Sequence, residues 1–118
     1  MIKVEGERAM GLKQIYEKQD LRTILEQESH FFLFKHSLTC PISQGAFEQF
    51  NEYLSKHSKI NGYYLTVQES RTLSNDIADQ YEIKHESPQI FYMKNGLVQW
   101  HTSHQKITVS AIEEIVNS

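Results

Sequence analysis

Cysteine and proline are scarce in this chain of 118 residues, which contains one cysteine and two prolines. A single cysteine cannot form a disulfide within the chain, and an unpaired thiol persists best in a reducing compartment. The sequence also lacks an apolar run of membrane-spanning length and an apolar signal core near its beginning. These absences predict a cytoplasmic protein that does not associate with a membrane.

Charge is equally unexceptional. Twelve Lys and Arg residues against fifteen Asp and Glu residues give a net charge of -3. Because no block or stripe of basic residues is present that could follow a phosphate backbone, nucleic acid is not an expected partner. No large apolar surface pattern indicates obligate assembly, so we expect a monomer.

The length suits one domain. Residues 1–11 show neither a helical nor a strand period and predict a flexible N-terminal tail, so the single folded domain is expected over residues 12–118. Residues 13–16 predict a short edge strand, and Asp20 is the predicted cap of a first helix that carries Leu21 and Ile24. The apolar run 31–35 predicts a strand that is covered on both faces and is therefore central in its sheet.

The rest of the chain alternates in the same way and then changes. A helix is predicted from Pro41 to about His57, a turn at Asn61-Gly62, a strand over 63–67, and a short helix capped by Ser74. The Asn95-Gly96 pair predicts a hairpin between strands 89–94 and 97–102. Within it Trp100 is expected to share a face with Val98. A last helix begins at Thr108 or at Ser110.

The resulting order, βαβαβαββα, predicts an α/β fold of the thioredoxin-like type, with a mixed central sheet and helices on both faces. In that fold the active cysteine lies in the loop after a central strand, at the start of the next helix. Cys40 follows the predicted central strand and is itself followed by Pro41, which suits the first position of a helix.

A thiol at a helix N-terminus is favoured in its ionised, nucleophilic form by unpaired backbone N–H groups and by the helix dipole. The alternative is a buried cysteine that acts as a small apolar residue. The strand, cysteine, proline, helix order favours the reactive thiol. The histidines, among them His36, His85, His101 and His104, show no zinc-site spacing with cysteine, so we expect neither a metal nor a bound cofactor.

The segment Thr39-Cys40-Pro41-Ile42-Ser43 keeps the spacing of a Cys-x-x-Cys redox motif, with serine in the second position. It is joined by Phe34-Lys35-His36-Ser37, by Arg71 with Ser74 and Ile77-Ala78, by His85-Glu86-Ser87-Pro88-Gln89, and by Ser103-His104 with Ile107-Thr108. Over about residues 12–117 the chain resembles the YtxJ family of monothiol bacilliredoxins.

That resemblance implies chemistry on bacillithiol, a small thiol that some Gram-positive bacteria use in place of glutathione. Cys40 would attack the bacillithiol sulfur of an S-bacillithiolated protein, release the repaired protein thiol and carry bacillithiol itself. Free bacillithiol or another redoxin would then regenerate Cys40. Ser43 is expected either to donate a hydrogen bond to the Cys40 sulfur or to be an ordinary residue of the first helical turn.

The resemblance also implies a substrate-binding set. Pro88 is expected to follow a cis peptide, which would let the backbone N–H and C=O of Ser87 pair with the substrate; a trans proline that opens an edge strand is the alternative. The malate carboxylates of bacillithiol would be attracted by Lys35, His36 and Arg71. Thr39 and Pro41, the neighbours of the thiol, complete the set.

Two other functions stay open at this point. The chain could be a thioredoxin-like binding or redox-sensing module without turnover. Iron-sulfur assembly, as in glutathione-dependent monothiol glutaredoxins with a Cys-Gly-Phe-Ser loop, is disfavoured because Pro41 occupies the place of the glycine.

Overall fold

The computed structural model describes residues 12–57 and 59–117, so the predicted tail over residues 1–11 lies outside the described part of the chain. The strands are β1 Leu12–Gln14, β2 His30–His36, β3 Gly62–Thr66, β4 Gln89–Lys94 and β5 Leu97–Ser103. The helices are α1 Lys18–Gln27, α2 Pro41–Lys56, α3 Arg71–Tyr81 and α4 Val109–Val116, and a 3₁₀ turn at His104–Lys106 precedes α4. This order confirms the βαβαβαββα prediction.

The five strands form one mixed sheet in the order β1-β3-β2-β4-β5. Strands β1, β3 and β2 run parallel, whereas β4 and β5 run antiparallel to their neighbours. Strand β2 lies in the middle and is buried from Phe31 to His36, as its continuous apolar run predicts. The predicted fold class, a thioredoxin-like α/β sheet with helices on both faces, is therefore confirmed.

Because successive side chains of a strand point to opposite faces, β2 contributes to two separate cores. Phe32 and Phe34 pack with α2 and α4 on one face. Phe31 and Leu33 pack with α1 and α3 on the other face. The same alternation places His36 on the α2 face and Lys35 on the α3 face, which separates two residues that the sequence predicted would act together.

Gly62 is not a turn residue, so the Asn61-Gly62 turn prediction is wrong. It is the first residue of β3, and a Cβ atom on it would lie 2.5 Å from Leu54 Cδ1 and 2.7 Å from Phe50 Cζ. Glycine is required here because α2 packs directly against the strand backbone.

Two predicted helix starts also need correction. Helix α3 begins at Arg71 after Ser70, and Ser74 lies buried inside it, not at its cap. Asp20 is inside α1, where its carboxylate accepts hydrogen bonds from the backbone N–H groups of Tyr16 and Glu17. An acid in the first turn that reaches back in this way stabilises the helix start from within.

The C-terminal third agrees more closely with its prediction. Asn95 and Gly96 have φ values of 54° and 81°, as a tight hairpin turn between β4 and β5 requires. Thr108 caps α4 by accepting a hydrogen bond from the Ala111 N–H. A bulge between β4 and β5 reverses the alternation, so that Trp100 packs in the α2 core and Val98 in the α3 core. Their predicted common face is therefore wrong.

Candidate active site

Cys40 occupies the N-cap position of α2 without a side-chain capping hydrogen bond, and Pro41 is the first residue of that helix. The cysteine has extended backbone angles, and its C=O accepts a hydrogen bond from the Gln44 N–H at 3.2 Å. Its side chain is partly exposed, and the residue is a free cysteine. The thiol therefore lies at the helix N-terminus and within reach of solvent, where its sequence context predicted it.

Ser43 occupies the second position of the motif and is completely buried. Its Oγ accepts a hydrogen bond from the Ser37 N–H at 2.9 Å and lies 2.8 Å from His36 Nδ1. These bonds tie the first turn of α2 to the end of β2. If neutral His36 carries its proton on Nε2, the hydroxyl donates to Nδ1 and has no hydrogen left for sulfur. The proposed bond to Cys40 stays a prediction.

His36 is 7% exposed, and its ring stacks on Phe47 with the ring centres 4.6 Å apart. Burial lowers the pKa of His36 below the usual value for histidine. The ring is therefore neutral at pH 7 and supplies no positive charge there. Its predicted attraction for carboxylates would be confined to acidic conditions.

Lys35 does not reach the surface, and its predicted direct contact with substrate is wrong. The residue is 0% exposed, and its Nζ donates a hydrogen bond to the Ser74 C=O at 2.9 Å. His85 Nδ1 lies 3.1 Å from the same nitrogen, and the Phe91 ring centre lies 5.9 Å away. Burial lowers the pKa of Lys35 to about 8. This amino group is a structural contact on the face of the sheet opposite α2.

Gln68 is a residue of the site that sequence reasoning missed. Its Oε1 accepts a hydrogen bond from the Leu38 N–H at 3.1 Å, and its Nε2 donates to Ser37 Oγ at 3.1 Å and to Thr39 Oγ1 at 3.4 Å. One amide thus holds the loop that carries Cys40 against the connection between β3 and α3. No local motif marks this glutamine, because the contact joins segments about thirty residues apart.

Arg71, the first residue of α3, is exposed and lines an open cleft of about 510 Å³ together with Gln68, Glu69 and Tyr16. The cleft therefore borders the Cys40 loop through Gln68. Thr39 and Pro41 are also exposed on either side of the cysteine. Contact of these three residues with a ligand stays a prediction.

The peptide between Ser87 and Pro88 is cis, as the resemblance implied. Pro88 is buried at the start of β4, and its C=O accepts a hydrogen bond from the His104 N–H at 3.0 Å. Lys35 pairs with Gln89 in the sheet, so Pro88 comes level with the end of β2 that leads to Cys40. The pairing of Ser87 with a substrate backbone stays a prediction.

The segment before Pro88 is fixed at both ends. Gln89 Nε2 donates a hydrogen bond to the Lys84 C=O at 3.1 Å, and Ser103 Oγ donates to Glu86 Oε1 at 2.6 Å. The hydrogen bond from Ser103, with a smaller contribution from His104, lowers the pKa of Glu86. Glu86 is therefore ionised at neutral pH and anchors the segment to the end of β5.

Two large apolar side chains close to Cys40 in sequence are exposed. Leu38 is 56% exposed and Ile42 is 40% exposed, and they lie on either side of Cys40 along the chain.

Across the described ranges, no group of three or more His, Cys, Asp and Glu residues is suited to hold a metal ion. None of the helices in the described part of the chain has the length and apolar character needed to cross a membrane.

Comparison with solved structures agrees with this architecture. The chain is similar to a protein described provisionally as an oxidoreductase with a thioredoxin fold, with 38% identity, coverage of 91% of this chain and 95% of that one, and a TM-score of 0.85. Mitochondrial thioredoxin 3 from Saccharomyces cerevisiae is 14% identical over 93% and 97% of the two chains, with a TM-score of 0.72. A Schistosoma mansoni thioredoxin is 18% identical over 92% and 95%, also with a TM-score of 0.72.

A partly exposed cysteine at a helix N-terminus on this fold is the arrangement of the thioredoxin-fold thiol-disulfide oxidoreductases. The similarities to the yeast and Schistosoma mansoni thioredoxins support the fold alone, because their sequence identities are only 14% and 18%. A sequence model of the family described as monothiol bacilliredoxin BrxC matches residues 13–112. The chain belongs to this monothiol bacilliredoxin family, and its general role is in thiol redox chemistry.

Proposed function

We propose that this protein removes bacillithiol from S-bacillithiolated proteins through Cys40. The Cys40 thiolate attacks the bacillithiol sulfur of the mixed disulfide, and a new disulfide forms between Cys40 and bacillithiol. The original disulfide breaks, and the protein sulfur leaves as a thiolate that takes up a proton from water. The observation that carries this proposal is the position of the only thiol, partly exposed at the N-terminus of α2.

The second half of the cycle needs a thiol from another molecule, because Ser43 cannot close a disulfide with Cys40. The thiolate of free bacillithiol attacks the bacillithiol sulfur on Cys40, which yields bacillithiol disulfide and the Cys40 thiolate. Another redoxin can supply the same electrons. Both partners are reducing thiols, so the reaction belongs in the cytoplasm.

The proposed substrate has a protein part and a small-thiol part. The exposed side chains of Leu38 and Ile42 offer an apolar contact for the protein part, and the backbone of Ser87 offers strand-like hydrogen bonds. The small-thiol part carries malate carboxylates, for which the exposed Arg71 is the charged contact. Thr39 and Pro41 flank the sulfur between these two parts.

The test is a turnover assay on a model protein that carries bacillithiol on one cysteine, with free bacillithiol as the reductant. Wild-type protein is expected to release more than one equivalent of repaired substrate. Cys40→Ser is the matched control and should release none above background. Unchanged substrate in the presence of folded wild-type protein would overturn the proposal.

A second candidate is a redox-sensing or binding module without turnover. It is favoured by the serine at position 43, since no resolving thiol in the chain removes bacillithiol once it is bound to Cys40. This candidate predicts that Cys40 takes up one equivalent of bacillithiol and keeps it when free bacillithiol is added. The same assay therefore separates the two functions.

A further inference from the structure

Lys35 is a fully buried lysine whose amino group contacts no carboxylate among the described residues. Its Nζ is held by the Ser74 C=O at 2.9 Å and by His85 Nδ1 at 3.1 Å. A buried charged residue is ordinarily paired with an opposite charge. Here both partners are neutral hydrogen-bond acceptors, so the lysine is satisfied by geometry and not by ion pairing.

The three partners belong to three different parts of the fold. Lys35 lies in β2, the strand that leads to Cys40, and Ser74 lies in α3. His85 lies in the segment that leads into the cis peptide at Ser87–Pro88. Ser74 Oγ is also 3.3 Å from His85 Nδ1, so the histidine is contacted from both the strand and the helix.

We infer that Lys35 is a positioning residue for disulfide exchange, because its amino group holds His85, and with it the segment that ends at Pro88, against the strand that carries Cys40. This inference rests on the proposed function and adds to it a role for two residues on the face of the sheet opposite α2. Lys35 itself does not touch the substrate. It acts through His85 on the backbone that the substrate is expected to meet.

The chemistry of the contact sets a condition on His85. Lysine can only donate here, so His85 Nδ1 must accept, which requires a neutral ring with its proton on Nε2. Burial, Lys35 and Arg71 lower the pKa of His85, and Glu86 opposes them. Neutral His85 is therefore the form present at pH 7. When acid protonates the ring, two donors face each other and the contact is lost.

Two single variants and their combination test the role. Lys35→Met fills the buried site with an apolar side chain of similar length, and His85→Leu changes a residue at the surface, where loss of folding is not expected. For each we would measure bacillithiol transfer from a peptide mixed disulfide and, at the same pH, alkylation of Cys40 by iodoacetamide. Dividing the first rate by the second removes any change in thiolate content.

Each single variant is expected to lower the transfer-to-alkylation ratio by about tenfold, within the hundredfold that a displacement of 1 Å can cost. The ratio of the double variant should be no lower than that of the more affected single variant, because both substitutions remove the same contact. The transfer-to-alkylation ratio of the wild type should fall as the pH is lowered below 6.5, the usual pKa of histidine, because the pKa of His85 is lowered from that value. His85→Leu should not show this decrease. Ratios within about twofold of wild type in both single variants would overturn the role.

Amide hydrogen exchange of residues 84–87 keeps this inference separate from the proposed function. Faster exchange there in both single variants, with β2 still protected, is expected even if bacillithiol is not the natural thiol. Unchanged exchange in folded variants would overturn the inference, whereas absence of transfer by wild-type protein would overturn only the proposed function.

Discussion

Replacing Ser43 with alanine should destabilise the protein strongly, because this buried hydroxyl has two buried partners. The change strands the Ser37 N–H and His36 Nδ1, which lie 2.9 and 2.8 Å from Ser43 Oγ. A buried polar group left without a partner costs about 1–3 kcal/mol. The two costs together are about 2–6 kcal/mol, and the better helix propensity of alanine returns a few tenths, so the expected loss is about 1.5–5.5 kcal/mol.

Urea unfolding measures this loss. With a slope of about 2 kcal/mol per molar urea, the unfolding midpoint should fall by roughly 1–3 M. The matched control is Ser55→Ala in the same helix, where the hydroxyl is exposed and donates only to the Glu52 C=O. That variant should stay within about 0.5 kcal/mol of wild type. A Ser43→Ala variant as stable as Ser55→Ala would refute the view that Ser43 fixes the Cys40 loop.

Three further changes test other parts of the structure. Gly62→Ala should lower the free energy of unfolding by about 1–3 kcal/mol, because the new Cβ pushes α2 away from β3. Gly45→Ala should raise it by about 0.5–1 kcal/mol, because no atom beyond the neighbouring backbone of α2 lies within 4 Å of the new Cβ. Thermal unfolding of both variants measures these changes, and equal effects would contradict the packing argument. Gln68→Met should lower the rate of disulfide exchange at Cys40 several-fold and leave the free energy of unfolding within about 1 kcal/mol of wild type. An unchanged rate would show that the Gln68 amide does not hold the loop. Lys35 binds its proton less tightly in the folded protein, where its pKa is about 8, than in the unfolded chain, where it is 10.5. The free energy of unfolding of the wild type should therefore rise between pH 8 and 10, relative to Lys35→Met, by up to about 1.4 kcal/mol per pH unit. Urea unfolding at several pH values measures this, and parallel plots of unfolding free energy against pH for the two proteins would contradict it.

The features that local sequence predicted well depend on neighbouring residues. The apolar run before Cys40 is long enough to indicate a strand buried on both faces, and Pro41 marks the start of the next helix. Asn95-Gly96 has backbone angles that few other residue pairs adopt without strain, so its hairpin was also predictable.

The features that were missed depend on residues that are distant in sequence. The Gly62 backbone packs against Leu54 and Phe50, and nothing next to the glycine distinguishes that use from a turn. Lys35 is at the end of a strand, where lysines are usually solvated, and its burial follows only from α3 and the segment before Pro88 covering it. Gln68 contacts the Cys40 loop across a similar gap.

The central claim, that Cys40 takes bacillithiol from proteins, is tested most directly by a single turnover followed by intact-mass spectrometry. An S-bacillithiolated substrate protein is mixed with an equal amount of this protein in the absence of any other thiol. The account predicts that bacillithiol leaves the substrate and appears on Cys40 in equal amounts, with no transfer to Cys40→Ser. A substrate that keeps its bacillithiol while Cys40 stays unmodified in folded protein would contradict the account.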